Sequence, residues 1–280
     1  MSRPLKGLLA TAAIGGLALT ACSDNPSNVP AFEDIEETMW ESMAASDAVA
    51  MTAVVPESLG EDVAMLEELY GGNLNDLEIY GSLTEPATAI RMGEDQDPLL
   101  YVFEDEMFVS LEMTLEAMGS FMPQELSEAE RAQFDELSAQ AEGKYIDMSE
   151  DFQASDQNLE MSQILDDMRS SAESGGTDEM TGFDFSQLQS EGSYMQLDME
   201  SDDTGWFYSI DGEGDNAIMN GEAEQFIGVA SDREAPRLVE IADGDTRMDF
   251  SWDDDVEIPQ RPSDDQIMTE EDFLEMDPTL

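Results

Sequence analysis

The stretch LEIYGSLTEPATAIRMGEDQDPLLYVFEDEMFVSL, residues 77–111, indicates the fold of this chain more clearly than any other. It contains four short runs of aliphatic and aromatic residues, separated by Glu-Pro, by Gly-Glu-Asp-Gln-Asp-Pro and by Glu-Asp. Short apolar runs bounded by turn residues are typical of strands that are joined by hairpins. The stretch therefore predicts four consecutive antiparallel strands.

Helical patterns occur before and after these strands in the sequence. Apolar residues recur near every 3.6 positions in residues 31–50, from Leu111 to Met122 and from Met161 to Met168, which predicts amphipathic helices. A last, acidic helix is expected over residues 263–276. Its predicted capping box consists of Ser263 and Gln266.

More strands are predicted outside the opening stretch. Apolar runs or alternating patterns predict them at residues 51–55, 144–148, 194–199, 206–210, 226–230, 238–242 and 248–252. Turns are expected at Asp211-Gly212 and at Asp243-Gly244. The order of elements has no parallel βαβ alternation, so it predicts an α+β protein whose helices lie on one face of an antiparallel sheet.

The N-terminus has the layout of an export signal. Arg3 and Lys6 precede an apolar run over residues 8–19, which is shorter than the roughly 20 residues that a membrane-spanning helix needs. The run ends in Leu19-Thr20-Ala21-Cys22, which resembles the lipobox of bacterial lipoproteins. The alternative is an ordinary secretory signal with a cysteine near its cleavage site.

The lipobox resemblance divides the chain into three parts. Residues 1–21 would be a signal peptide, residues 22–30 a lipidated cysteine with a flexible tether, and residues 31–280 a single acidic domain. Cys22 would carry two acyl chains, which suffice for stable anchoring in a membrane. As the only cysteine, it has no disulfide partner within the chain. We therefore expect a domain that is lipid-anchored on the extracytoplasmic side and folds without disulfides.

The charge of the chain restricts its partners. There are 67 acidic and 10 basic residues, and the formal net charge is -57. Such a charge excludes nucleic acid and repels anionic lipid head groups, because both are bound through Lys and Arg. It favours cationic ligands and divalent ions. The alternative is that the acids only keep the surface hydrated in salty surroundings.

Several kinds of catalysis are excluded by composition. The chain has no histidine, which removes Ser-His-Asp and Cys-His catalysis and every zinc site that uses histidine. Lys144 is the only lysine after the signal segment, and no glycine-rich phosphate loop leads to it. We therefore expect a protein that is not an enzyme and has no cofactor, with calcium as the one candidate ion. Carboxylate pairs are too numerous in this chain for a glycosidase-like pair to be singled out, so an enzyme that uses only carboxylates is the alternative.

The calcium candidate is a partial EF-hand pattern. Acidic residues stand at loop positions 1, 3, 5 and 12 of that motif, namely Asp211, Glu213, Asp215 and Glu222. Asn216 stands where the motif needs glycine, and the flanking segments resemble strands. The alternative is therefore a charged β-turn. A second, weaker candidate is the acidic run at residues 253–255.

Methionines stand on several predicted helical faces. Because methionine side chains adapt to differently shaped apolar ligands, these residues and one neighbouring tryptophan are candidates for the lining of a ligand cavity. The candidates are Met39, Trp40, Met43, Met118, Met122, Met161 and Met168. The alternative is that they fill an ordinary core.

The whole layout resembles the LppX/LprG group of envelope lipoproteins. The local resemblance lies in the lipobox, in residues 143–146 and in the closing segment at residues 250–259. It implies a LolA-like fold, which is an incomplete antiparallel β-barrel with helices packed on its concave face. It also implies a non-catalytic protein that binds an acylated lipid or a lipoglycan for transport or storage. The alternative function is an acidic cell-surface module that binds calcium or a cationic partner.

Overall fold

The structure is a computed structural model that describes most of the chain after the predicted signal segment. The described residues are 29–54, 73–93, 96–121, 137–154, 159–174, 183–188, 192–196, 204–210, 225–244, 246–253 and 256–276. The helices in these ranges are α1 (Phe32–Ala44), α2 (Leu111–Phe121), α3 (Ser149–Ala154), α4 (Met161–Ser174) and α5 (Glu270–Met276). Residues 137–141 are also helical.

Twelve strands are present in the described residues. They are β1 (Ala48–Val54), β2 (Leu77–Ser82), β3 (Ala87–Met92), β4 (Leu100–Phe103), β5 (Glu106–Ser110), β6 (Tyr145–Asp147), β7 (Ser193–Gln196), β8 (Thr204–Ser209), β9 (Gln225–Ala230), β10 (Leu238–Asp243), β11 (Thr246–Trp252) and β12 (Ile267–Thr269). The four strands predicted from residues 77–111 are confirmed as β2 to β5.

All twelve strands belong to one sheet, in the order β12-β6-β5-β4-β3-β2-β1-β11-β10-β9-β8-β7. Every neighbouring pair is antiparallel except β6 and β12, which are parallel. The early and late strands meet where β1 pairs with β11. The predicted α+β architecture is confirmed. The described strands form an open sheet rather than a closed barrel, and the concave shape implied by the resemblance stays a prediction.

The first predicted helix was too long. Helix α1 ends at Ala44, and residues 48–50, which were included in the helix, belong to β1. Val49 lies opposite Trp252 on one side and opposite Gly81 on the other. Pairing with two strands fixes an extended backbone here, and this tertiary context overrides the helical preference of alanine.

The predicted C-terminal helix was wrong over its first half. Residues 267–269 form β12, and α5 begins only at Glu270. The capping box is made by Thr269 and Asp272: the Asp272 N–H donates to Thr269 Oγ1 at 3.1 Å, and the Thr269 N–H donates to the Asp272 carboxylate at 3.4 Å. Ser263 and Gln266 do bond to each other, at 2.7 Å, but they close the turn that precedes β12.

The core lies mainly on one face of the sheet. Its largest cluster joins α1 and α4 to side chains from β1, β8, β9, β10 and β11. A second cluster joins α2, residue Ala141 and α5 to β6 at the other end of the sheet. We call this face the helix face. The opposite face carries Tyr80, Ala89 and Tyr101, against which Val256 packs.

The segment after β11 covers part of that opposite face. Residues 256–266, which we call the C-terminal strap, connect β11 near the middle of the sheet to β12 at its edge. The face beneath it is therefore called the strap face. The predicted turn at Asp243-Gly244 is confirmed between β10 and β11, where Gly244 has φ of 59°. Glycine reaches this left-handed conformation without steric cost.

Candidate apolar binding site on the helix face

A row of apolar side chains crosses the helix face. The members lie directly opposite one another on successive strands, which places them on one side of the sheet. They are Phe250, Met51, Ile79, Ile90, Leu100, Val109, Ile146 and Met268. An uninterrupted apolar row over eight strands is a surface that must be covered by protein or by another apolar group.

The middle of this row is its least covered part. The two core clusters lie toward the two ends of the sheet, and the members of the row between them are only half-buried. These four residues, which we call the apolar strip, are Ile79, Ile90, Leu100 and Val109. On the same strands, Tyr80, Ala89 and Phe108 of the strap face are buried. Both faces of β2 to β5 thus contain buried side chains, because Met92 and Val102 of the helix face are buried as well.

A small apolar cavity lies between the strip and the start of α4. Its volume is about 60 Å³. It is lined by Ile79, Thr88, Ala89, Ile90, Leu100, Val102, Leu159 and Ile164. This volume is well below the roughly 300 Å³ of an ordinary small-molecule pocket. A lipid chain would therefore have to lie along the strip or displace the start of α4.

Gly81 determines how closely α4 approaches the sheet. A Cβ atom at this position would lie 2.3 Å from the Ala87 carbonyl oxygen and 2.9 Å from Met161 Cγ. Only glycine leaves room for Met161 and the first turn of α4 over β2. The height of α4 above the cavity therefore depends on this residue.

Thr88 is the one polar residue among the cavity-lining side chains. It is 2 % exposed, and its hydroxyl oxygen has no hydrogen-bond partner. A buried hydroxyl without a partner carries a desolvation cost. Packing between α4 and β3 is therefore not optimal at this point, as expected for a region that opens more easily than the core.

The candidate methionines lie in the core clusters. Met39, Met43, Met161 and Met168 are fully buried in the cluster of α1 and α4, and Trp40 belongs to the same cluster. Met118 packs, partly buried, against the second cluster. Met122 lies outside the described residues. The 60 Å³ cavity is lined by other residues, so a role of these methionines in ligand binding stays a prediction.

Sequence reasoning missed the residues that line the cavity. Ile79, Ile90 and Leu100 belong to apolar runs that indicated strands but did not indicate a site. The signal for a site is that both faces of β2 to β5 carry large apolar residues. One face alone would suffice for an ordinary half-buried antiparallel sheet.

The other predicted sites are only partly covered by the structure. The quartet at residues 19–22 and the calcium candidates Asp211, Glu213, Asp215 and Glu222 lie outside the described residues. Asp253 is described: it accepts the Asp47 N–H at 2.8 Å and forms an ion pair with Arg237. Within the described ranges, no three Asp, Glu, Cys or His side chains are placed to hold a metal ion.

Several charged pairs lie on the strap face. Arg91 pairs with Glu78 and lies 4.3 Å from the centre of the Tyr80 ring. Burial raises the pKa of Tyr80 to about 12. Arg247 pairs with Asp249 at 2.8 Å and with the buried Glu240 at 3.2 Å. Burial raises the pKa of Glu240 to about 7, although Arg247 acts in the opposite direction.

Comparison with known proteins shows structural similarity only at a distant level. No family model matches the chain, and no curated protein matches it. The chain is similar to the crystal structure of LprF from Mycobacterium bovis, with 13% sequence identity and a TM-score of 0.32. The similarity covers 84% of this chain and 99% of that chain. At this level it carries no argument about function, which must come from the geometry of the two faces.

Within the described residues, no helix combines the length and the apolar character needed to cross a bilayer.

Proposed function

We propose that the protein is a membrane-anchored envelope lipoprotein, attached through Cys22, which binds the acyl chain of a lipid on its helix face. It is a carrier or a storage protein rather than an enzyme. The observation that supports this proposal is the apolar strip, whose residues are half-buried although they form the middle of an apolar row across the sheet.

An acyl chain fits the chemistry of this strip. Ile79, Ile90 and Leu100 provide adjacent aliphatic side chains on three neighbouring strands. Each methylene group that moves from water onto such a surface contributes about 0.8 kcal/mol. About ten methylenes would contribute roughly 8 kcal/mol, which corresponds to micromolar affinity before the cost of association is subtracted, whereas a polar ligand would gain nothing from these side chains.

The packing of α4 provides a route by which the site can enlarge. The cavity lies beneath Leu159 and Ile164, and the Thr88 hydroxyl beside it is unsatisfied. Met161 and Met168 of α4 have flexible side chains that repack at low cost when a helix shifts. We infer that the ligand enters between α4 and β3, and that the enlarged cavity follows the strip toward α2.

The test is binding of a fluorescent fatty acid, cis-parinaric acid, to the full chain in detergent. Ile90→Gln places an amide in the centre of the strip and should weaken binding by about tenfold or more. Ile258→Gln makes the same change at an exposed residue of the strap and should have no effect. Circular dichroism of both variants controls for folding.

A second measurement addresses the natural ligand. Native mass spectrometry of the chain extracted from its own membrane should show a co-purified lipid. Equal affinity of the Ile90→Gln and Ile258→Gln variants for the fatty acid, together with a ligand-free mass, would refute the proposal.

A further inference from the structure

An open groove lies on the strap face, on the side of the sheet opposite the apolar strip. Its volume is about 480 Å³, within the range of ligand sites in proteins. Three segments form it: the turn between β2 and β3 with Glu85 and Pro86, the turn between β4 and β5 with Glu104 and Asp105, and residues 258–261 of the strap.

The groove contains exposed apolar surface. Ala87 and Phe103 line it, together with Ile258 and Pro259 of the strap. Ile258 is 38% exposed and is the only large apolar side chain among the described residues that reaches such exposure. Single exposed apolar residues are common on proteins, but this one lies in a groove beside other apolar side chains. An apolar side chain of a partner would bury Ile258 and Phe103 together.

The rim of the groove is negatively charged. Glu85, Glu104 and Asp105 are exposed, and no basic side chain in the described ranges pairs with their carboxylates. The one basic residue of the lining, Arg261, is engaged by both carboxylate oxygens of Glu106, at 2.9 and 3.0 Å. The groove therefore presents carboxylates around an apolar centre.

We propose that this groove docks a segment of a partner protein in which an apolar side chain stands between lysines or arginines. A second copy of this chain does not fit, because two bodies with a formal charge of -57 repel each other. Anionic membrane surfaces are excluded for the same reason. The apolar side chain of the partner packs between Ile258 and Phe103, and its basic groups pair with Glu85, Glu104 and Asp105.

This arrangement divides affinity and specificity between two kinds of contact. Pairing across the exposed rim accelerates association and weakens as salt rises. Burial of the partner's apolar side chain between Ile258 and Phe103 adds affinity that a segment with basic residues alone would lack. The site is thus expected to distinguish partners by the residue between the charges rather than by charge alone.

The test uses the full chain and a fluorescein-labelled peptide, Lys-Lys-Leu-Lys-Lys, in fluorescence anisotropy at physiological salt. A second peptide has serine in place of leucine. Because any cationic peptide is attracted to so acidic a protein, matched variants are essential. The groove variant is Glu104→Gln with Asp105→Asn, and the control is Asp166→Asn with Asp167→Asn on the exposed side of α4, which removes the same charge.

The expected results separate a site from diffuse attraction. The leucine peptide should bind about tenfold more tightly than the serine peptide, and Ile258→Ser should remove this difference. The groove variant should weaken binding at least fivefold more than the control variant. Equal losses in the two charge variants, or equal binding of the two peptides, would overturn the proposal.

A small-molecule competitor gives a further criterion. If spermine displaces the leucine peptide completely and Ile258→Ser leaves peptide binding unchanged, the groove is a polyamine site and the inference of a protein partner is wrong. These outcomes are independent of fatty-acid binding on the helix face, because none of the variants changes the apolar strip.

Discussion

Replacement of Glu240 by glutamine should stabilise the protein at neutral and higher pH. Glu240 lies on the strap face of β10 and is 7% exposed. Its neighbours on β11 have opposite effects: Arg247 favours the ionised carboxylate, and Asp249 opposes it. Burial is the largest influence, and the pKa of Glu240 rises from 4.5 to about 7.

The direction of the pH dependence follows from this raised pKa. A group whose pKa is higher in the folded chain binds its proton more tightly there, so its contribution to stability is complete below the unfolded value of 4.5. The contribution is lost as the pH rises through about 7. The difference between these two values corresponds to about 3 kcal/mol in the free energy of unfolding. Glutamine resembles the protonated carboxyl at every pH.

Urea denaturation of the wild-type chain and of Glu240→Gln measures this difference. At about pH 4 the two free energies of unfolding should agree, and at about pH 8 the variant should be more stable by about 3 kcal/mol. Glu41→Gln makes the same change at an exposed residue of α1 and controls for the loss of one negative charge. If Glu240→Gln is less stable than the wild type at pH 8, the Arg247 pair outweighs burial and the reasoning is wrong.

Two further predictions concern the anchor and α4. Cys22→Ser should move the protein from the membrane fraction to the soluble fraction, because the thiol that accepts the acyl chains is lost; a variant that still sediments with membranes would contradict the lipobox assignment. Gly81→Ala should lower the free energy of unfolding by about 1 to 3 kcal/mol, since its Cβ would meet Ala87 and Met161 at less than 3.0 Å. Gly244→Asn is its control, because the space there is open and asparagine tolerates positive φ. Equal stabilities of these two variants in urea would contradict the close packing of Gly81 against Ala87 and Met161.

The antiparallel strands were predictable because their signals are local. In residues 77–111, each strand and the turn that follows it lie next to each other in sequence, and the register follows from hairpin pairing. Strand β12 has only three residues and pairs in parallel with β6, which lies more than a hundred residues earlier. No local pattern encodes such a pairing, so the capping box beside it was assigned to the wrong residues.

The candidate sites were less predictable than the fold. The methionines of α1 and α4 were correctly placed on apolar helical faces, and the structure buries them in the core. The position of the apolar strip is determined instead by the part of the sheet that the helices leave uncovered. Helical periodicity shows that a face is apolar, but it does not show which part of the sheet that face covers. The groove on the strap face depends in the same way on the course of residues 256–266.

The few basic residues also explain why the two faces differ. Arg91 contacts Glu78 on β2 and Glu257 of the strap, and Arg261 connects the strap to Glu106 while lying 4.9 Å from the Phe108 ring. Arg237 holds Asp253, just before the strap begins. In a chain with 67 acids and 10 bases, each such pair removes repulsion that would otherwise lift the acidic strap from the acidic sheet. These pairs keep the strap face covered, and the row of apolar residues on the helix face contains no charged group that would have to be desolvated when a lipid chain binds.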